Sequence, residues 1–221
     1  MDARIAVFDI NETTLDLAPV RATVDDLLGD PLGFTVWFQK LLQLSMTVTA
    51  TDSYVSFSHL APAALDTVFE SLGRTVPDDA WDRVAAAMGS IEPYPDVHHG
   101  LRRLRDAGWT TVALTNSAPD QVHDQLERTG LAPLFDQILS VDAVSAFKPV
   151  AAPYRYAAAQ VGVEPESTWM VACHDWDLAG ARAVGMSTAF VTRAGMGYAT
   201  TYPSPDLTVD GFESLAVELA T

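Results

Sequence analysis

The chain has 221 residues, 48% of them hydrophobic and 19% charged, enough apolar material to bury one α/β core with a small insertion and too much for a disordered chain. Its formal net charge of -16 repels phosphate backbones and anionic lipid, which argues against nucleic-acid or membrane-surface binding and leaves a small-molecule substrate as the expected partner. One cysteine, Cys173, excludes an internal disulfide and a thiolate metal cage, and with no run of about 18 apolar residues the expected setting is the cytoplasm.

Residues 5–8 form a short apolar run, too short for the apolar region of a signal peptide, and read as a buried strand. The stretch that follows is helix-rich, with patterns at 24–28, 34–46, 61–72 and 79–88 and no clear strand. Ile91-Glu92-Pro93-Tyr94-Pro95 reads as a stiff return linker, because each proline fixes φ and extends the residue before it. Beyond it, strands at 110–114, 169–172 and 187–191 alternate with helical patterns at 95–107, 119–130, 152–162 and 177–185. This alternation predicts an α/β fold: a doubly wound parallel sheet from residues 1–16 and 94–221, with a helical domain, 17–93, inserted after the first strand.

In such a sheet, ligands bind beyond the carboxyl ends of the strands, so the residues following each strand carry most weight. They are Asp9 and Asn11, then Thr115 and Asn116, then Cys173 to Asp177. A carboxylate at the end of the first strand, followed by a polar turn holding Thr13 and Thr14, is placed for use as a nucleophile; the alternative is an ordinary turn with Asp9 as a cap. Taken singly, Lys148 reads equally as a surface residue, Thr115 as a solvated turn and Asp177 as a helix N-cap. His59, His98, His99 and His123 show no metal-ligand spacing, and the pair His98-His99 reads as a solvated helix face. Phe34, Trp37, Leu41, Leu42, Leu44 and Met46 read as packing residues of the insertion, with a subunit interface, and so a homodimer, left open.

Taken in order, four of these positions resemble the motifs of the haloacid dehalogenase superfamily. Asp9 and Thr13 are similar to its first motif, Thr115 in Leu114-Thr115-Asn116 to its second, Lys148 in Phe147-Lys148-Pro149 to its third, and Asp177 to its acidic fourth. The resemblance covers most of the chain and implies a Rossmann-like core, a helical cap, and a covalent ester formed on Asp9. Most members are phosphatases, which use an Asp two residues after the nucleophile as general acid and hold Mg²⁺ with carboxylates of the fourth motif. Here those positions are Asn11, which has no titratable proton, and Ala172-Cys173. Asp175 and Asp177 as shifted Mg²⁺ ligands belong to the alternative reading, a Mg²⁺-dependent small-molecule phosphatase.

A halide leaving group needs neither that acid nor a metal, and the chain resembles the L-2-haloacid dehalogenase branch in further places. That branch has Lys-Pro-x-x-x-x-Tyr, similar to Lys148-Pro149 through Tyr154, and Ser-Ser-Asn-x-Trp-Asp, similar to Ala172-Cys173-His174-Asp175-Trp176-Asp177. Its cap segments resemble Trp37-Phe38-Gln39-Lys40 and Tyr54-Val55-Ser56-Phe57. The resemblance implies a cofactor-free hydrolysis of a short 2-haloacid to a 2-hydroxy acid, or opening of another activated carbon such as a strained-ring amino acid. In it, Thr13 and Asn116 orient Asp9 or the substrate, Thr115 and Lys148 complete the catalytic set, and Asp177 with His174 positions water. Asn11, Phe38, Leu42, Phe57, Asn116, Tyr154 and Trp176 are the expected substrate contacts. The chain departs from the branch at Phe38, where the branch has an Arg, and at His174, where it has an Asn.

Overall fold

The computed structural model describes residues 4–220. In chain order its elements are β1 (Ile5–Phe8), β2 (Leu15–Asp16), α1 (Ala18–Leu28), α2 (Gly33–Ala50), α3 (Phe57–Ser71), α4 (Ala80–Met88), β3 (Glu92–Pro93), α5 (Val97–Asp106) and β4 (Thr110–Thr115). They continue with α6 (Pro119–Arg128), β5 (Gln137–Ser140), α7 (Ala151–Gln160), β6 (Thr168–Ala172), α8 (Asp175–Ala183), β7 (Ser187–Val191), β8 (Leu207–Val209) and α9 (Phe212–Leu219). Two compact units result, one from Met1–Leu15 with Pro93–Thr221 and one from Asp16–Glu92. No helix among the described residues is long and apolar enough to cross a membrane.

The first unit is a six-stranded sheet in the order β5-β4-β1-β6-β7-β8, every neighbouring pair parallel. Strand β1 lies inside it, with Phe8 in register with Ala113 on one side and Val171 on the other. All four of its residues are buried, as a strand covered on both faces requires. The sheet therefore diverges from β1 in both directions, which makes the carboxyl end of β1 a topological switch point.

The predicted doubly wound parallel sheet is present, with two strands and a helix added. β5 and β8 escape a search for apolar runs because they are flanking strands, exposed or half-exposed over their first residues. α9 packs on α5, where a side chain at Gly100 would meet Phe212; a Cβ there would lie 2.4 Å from the Phe212 Cβ. Phe212 in turn stacks on Phe8, ring centroids 5.4 Å apart. The expected stiff linker at 91–95 contains β3, which pairs with β2 in a two-stranded sheet, so the return segment is hydrogen-bonded strand as well as proline-stiffened.

The second unit is four helices, of which α1, α2 and α3 start earlier than predicted or run later, while α4 matches its predicted span to within a residue. α1 begins at Ala18, whose N–H is held by Asp16 Oδ1 at 2.9 Å, with Pro19 in the first turn. α3 begins at Phe57 and carries Pro62 inside; the carbonyl that loses its partner belongs to exposed Ser58. α2 runs on to Ala50, with the Thr47 and Thr49 hydroxyls donating to the carbonyls of Gln43 and Ser45. Phe34, Trp37 and Leu41 are buried within this unit, where Trp37 Nε1 donates to Ala61 O at 3.0 Å. These three are therefore interior residues of the helical unit.

Because Gly100 has no room for a side chain, Gly100→Ala is expected to force α9 away from α5 and destabilise the core by about 1–3 kcal/mol. Thermal unfolding would register this as a lowered Tm, by about 2–4 °C for each kcal/mol. An unchanged Tm would show that α9 yields freely.

Candidate active site

Asp9 leaves β1 with its N–H still bonded to Val171 O at 3.0 Å, so its backbone is an extension of the parallel ladder. The chain then folds back on itself: Thr14 and Leu15 N–H donate to Ile10 O, and Thr14 Oγ1 donates to Asp9 O at 2.7 Å. Within this turn Thr13 Oγ1 donates to Asp9 Oδ2 at 2.6 Å and accepts from Cys173 N at 3.0 Å, tying the end of β1 to the end of β6. Arg193, two residues beyond β7, closes the turn from the other side. Its Nε and Nη2 donate to Thr13 O at 3.1 and 2.9 Å, its Nη1 pairs with Asp96, and its guanidinium lies 4.0 Å from the Tyr94 ring centre.

Lys148 is 1% exposed, which removes the surface reading. Its Nζ has three protons and three acceptors: Asp9 Oδ1 at 2.7 Å, Asp177 Oδ2 at 2.6 Å and Leu114 O at 3.2 Å. Asn116 Oδ1 accepts the Lys148 backbone N–H at 3.1 Å, so Asn116 places the lysine, while Thr13 makes the contact with Asp9 expected of it. Thr115 Oγ1 accepts Ser117 N–H at 3.1 Å and shapes the turn that presents Asn116.

Asp177 lies in the first turn of α8, wholly buried, and His174 precedes that helix, so Asp177 is no N-cap. Its Oδ1 accepts from the Tyr154 hydroxyl at 2.6 Å. Tyr154, expected against substrate, is 0% exposed and stands behind Asp177, a correction that follows from its partner: a buried phenol satisfied by a carboxylate has no proton left for a ligand. Gly180 makes the approach feasible, since a Cβ there would lie 2.4 Å from Pro149 O and 2.7 Å from the Tyr154 hydroxyl.

Burial by itself raises a carboxyl, yet the charge of Lys148 and the hydrogen bond from His174 hold Asp9 well below the usual carboxylate range. At Asp177 burial, together with the nearby Asp9 charge, prevails over Lys148 and the value is raised. Lys148 is raised despite its burial by the charges of Asp177 and Asp9, and Tyr154 is raised by burial and by Asp177.

His174 sits between two carboxylates. Its Nδ1 lies 3.1 Å from Asp9 Oδ2 and its Nε2 3.2 Å from Glu12 Oε2, and its ring stacks on Trp176 at 5.2 Å. Burial opposes its charge, but neighbouring Cys173 and the bonds to Asp9 and Glu12 raise the imidazole well above its ordinary value. In its protonated form the ring has a donor for each of the two carboxyl groups.

Glu12 is the functional residue that sequence reasoning missed. It is 4% exposed and has φ of +61°, a left-handed conformation that costs a non-glycine residue about 1–2 kcal/mol. Nothing in the local sequence marks φ, but an acidic residue in the nucleophile's turn and a histidine at another strand end were complementary signals. Arg193 was also missed, although the rule that drew attention to strand ends reaches it after β7.

Asn11 Nδ2 donates to Ser117 Oγ at 3.0 Å, while its buried Oδ1 has no hydrogen bond among the described residues. The Asp175 oxygens accept the backbone N–H groups of Trp176 and Ala199, at 2.7 and 3.0 Å. Phe38, Leu42 and Phe57 belong to the helical unit: Phe38 is half-buried and stacks on Phe34 at 5.5 Å, Leu42 is half-buried, and Phe57 opens α3. Lys40 donates to Gln43 of its own helix at 3.1 Å.

Removing the lysine leaves two buried carboxylates facing each other. Lys148→Met is therefore expected to lose about 3–5 kcal/mol in urea unfolding, far beyond a surface substitution. A loss below 1 kcal/mol would contradict the buried ion triplet. The pH dependence has two limbs. His174 is raised, so its contribution is fully present below about pH 6.5 and lost as pH rises through the folded value; Asp9 is depressed, so its contribution is present above about pH 4 and lost as pH falls toward the folded value. In unfolding midpoints followed against pH, the advantage of the natural protein over His174→Gln shrinks on the alkaline side, and that over Asp9→Asn on the acid side.

Comparison with known proteins agrees with this geometry. A family model described as haloacid dehalogenase-like hydrolase matches residues 3–185. (S)-2-haloacid dehalogenase 1 of Pseudomonas sp. (strain CBS-3) is 32% identical over 193 residues, 86% of this chain and 85% of that protein. (S)-2-haloacid dehalogenase of Xanthobacter autotrophicus is 32% identical over 192 residues, 86% of this chain and 75% of that one. The solved L-2-haloacid dehalogenase from Xanthobacter autotrophicus with chloropropionic acid covalently bound has a TM-score of 0.85 at 26% identity, covering 97% of each chain. With the parallel sheet and the carboxylate at its switch point already in place, the chain is a hydrolase and belongs to the haloacid dehalogenase-like family.

Proposed function

We propose that the protein hydrolyses a short 2-haloacid to a 2-hydroxy acid through an ester on Asp9. The observation that carries this reading is the state of Asp9: a buried carboxylate held ionised by Lys148, Thr13 and His174 at the carboxyl end of β1. Asp9 attacks the halogen-bearing carbon, the carbon-halogen bond breaks with its electron pair leaving as halide, and an ester forms. Water then adds to the Asp9 carboxyl carbon, the bond from that carbon to the substrate oxygen breaks, and the hydroxy acid departs.

A halide departs without a proton, which suits Asn11 two residues after the nucleophile. The residues do not fit a divalent cation. Lys148 Nζ already stands between Asp9 and Asp177, and Asp175 spends its oxygens on backbone N–H groups. The reaction proposed is accordingly free of metal and cofactor.

Chloride release from 2-chloropropionate, unaffected by EDTA, is the expected activity, with Asp9→Asn lowering it more than ~10³-fold. Single turnover in ¹⁸O water should place the label in Asp9. No halide from a panel of short 2-haloacids, with or without Mg²⁺, would sink the substrate assignment.

A further inference from the structure

The two half-reactions ask opposite things of the residues around Asp9. Forming the ester needs donors that hold an anion; hydrolysing it needs an acceptor for a water proton beside a carboxyl carbon that is no longer charged. Asp177 is poorly placed for the second task, being 0% exposed with one oxygen held by Lys148 and the other by Tyr154. His174 is placed for it: it retains some exposure, and its Nδ1 faces Asp9 Oδ2 at 3.1 Å. The far side of the ring is fixed by Glu12, whose Oε2 lies 3.2 Å from Nε2 and whose backbone adopts φ of +61°, a conformation suited to glycine. A side chain retained in that conformation, and aimed at a buried histidine, indicates use.

Building on the dehalogenase reading, we infer that Glu12 and His174 form the base of the hydrolytic half-reaction, Glu12 holding the Nε2 proton so that Nδ1 takes a proton from the attacking water. The protons balance. In the free enzyme the imidazole is doubly protonated between Asp9 and Glu12, and esterification of Asp9 removes one of the charges that hold it so. Nδ1 releases its proton to solvent, matching the acid that the overall reaction yields with halide. Water then adds to the Asp9 carboxyl carbon while Nδ1 receives a proton. As the bond from that carbon to the substrate oxygen breaks, Nδ1 returns the proton to the departing alkoxide. The regenerated Asp9 carboxyl, left protonated, passes its proton to Nδ1, and the cycle closes. Around His174 the ionisable groups are Asp9 at the end of β1, Glu12 in the turn after it and Cys173 at the end of β6, with the Trp176 ring on its face. His174 touches the reacting carboxyl and is catalytic, whereas Glu12 acts through it and is a positioning residue.

Two measurements test this. In ¹⁵N-histidine NMR at pH 7, with the His174 signals assigned by their loss in His174→Gln, the natural protein should show both ring nitrogens protonated. Asp9→Asn, uncharged like the ester, should show a neutral ring with its proton on Nε2. An unchanged ring, or a proton on Nδ1 in Asp9→Asn, overturns the inference without any substrate being needed. With 2-chloropropionate, His174→Gln should release one halide per site in a burst, accumulate the Asp9 adduct in intact-protein mass spectra, and turn over ~10²–10⁴-fold more slowly. Glu12→Gln should show the same burst with a smaller slowing, partly restored in Glu12→Asp, while Asp177→Asn should lose the burst itself. Hydrolysis at the natural rate in His174→Gln, or loss of its burst, rejects the role. If the natural protein itself releases no halide, the dehalogenase reading fails and the NMR result alone decides the charge coupling.

Discussion

A single ammonium group organises this protein's site. Lys148 Nζ is buried between the carboxylates of Asp9 and Asp177, and it is tolerated there because each of its protons has an acceptor. The requirement spreads outward. Asn116 fixes the lysine backbone, Tyr154 satisfies the Asp177 oxygen that the lysine does not reach, and Gly180 leaves space for that phenol. Take away the ammonium and none of these residues has a reason for its placement. Much of what resembles a list of motif residues is one charge and the arrangements that make its burial acceptable.

The sheet explains why these groups meet. A parallel sheet sends all its strand ends to one edge, and a strand order that diverges from β1 puts β4 and β6 on either side of Asp9. Residues more than a hundred positions apart are thereby brought within hydrogen-bond distance. Thr13 joins β1 to β6 through Cys173 N–H, Lys148 reaches the carboxyl end of β4 through Leu114 O, and Arg193 returns from β7 to grip Thr13 O. The nucleophile's turn is thus held by three other strand ends, and its rigidity is a property of the whole core unit.

What the sequence discloses follows from this geometry. Buried parallel strands are uninterrupted apolar runs, so β1, β4, β6 and β7 could be read, and the polar residues after them marked the site. The flanking strands β5 and β8 are partly wet and lack that signature. Roles were harder to read than positions. Thr115 and Asn116 lie at the expected strand end, yet one shapes a turn and the other holds the lysine, because which of several neighbouring polar groups reaches Asp9 depends on ångström-scale turn geometry. Tyr154 was attached to the substrate although its partner is Asp177, a distinction that only burial reveals. Glu12 was passed over because its contribution depends on a positive φ, which no run of residue types specifies.

Acidic and basic groups alternate around Asp9: Asp177, Lys148, Asp9, His174 and Glu12 form a chain of carboxyl groups separated by basic side chains. Such an arrangement is stable as a whole and sensitive to any change at its centre. Esterification changes that centre, turning an anion into a neutral group. Lys148 still has Asp177, and its protonation is little affected. His174 loses one of the two carboxylates that face it, at the shorter of those contacts, and becomes the member whose proton is loosest. The same contacts that hold the nucleophile ionised before attack therefore release a base after it. A site that makes and then hydrolyses its own ester needs that reversal, and here the ester's formation supplies it.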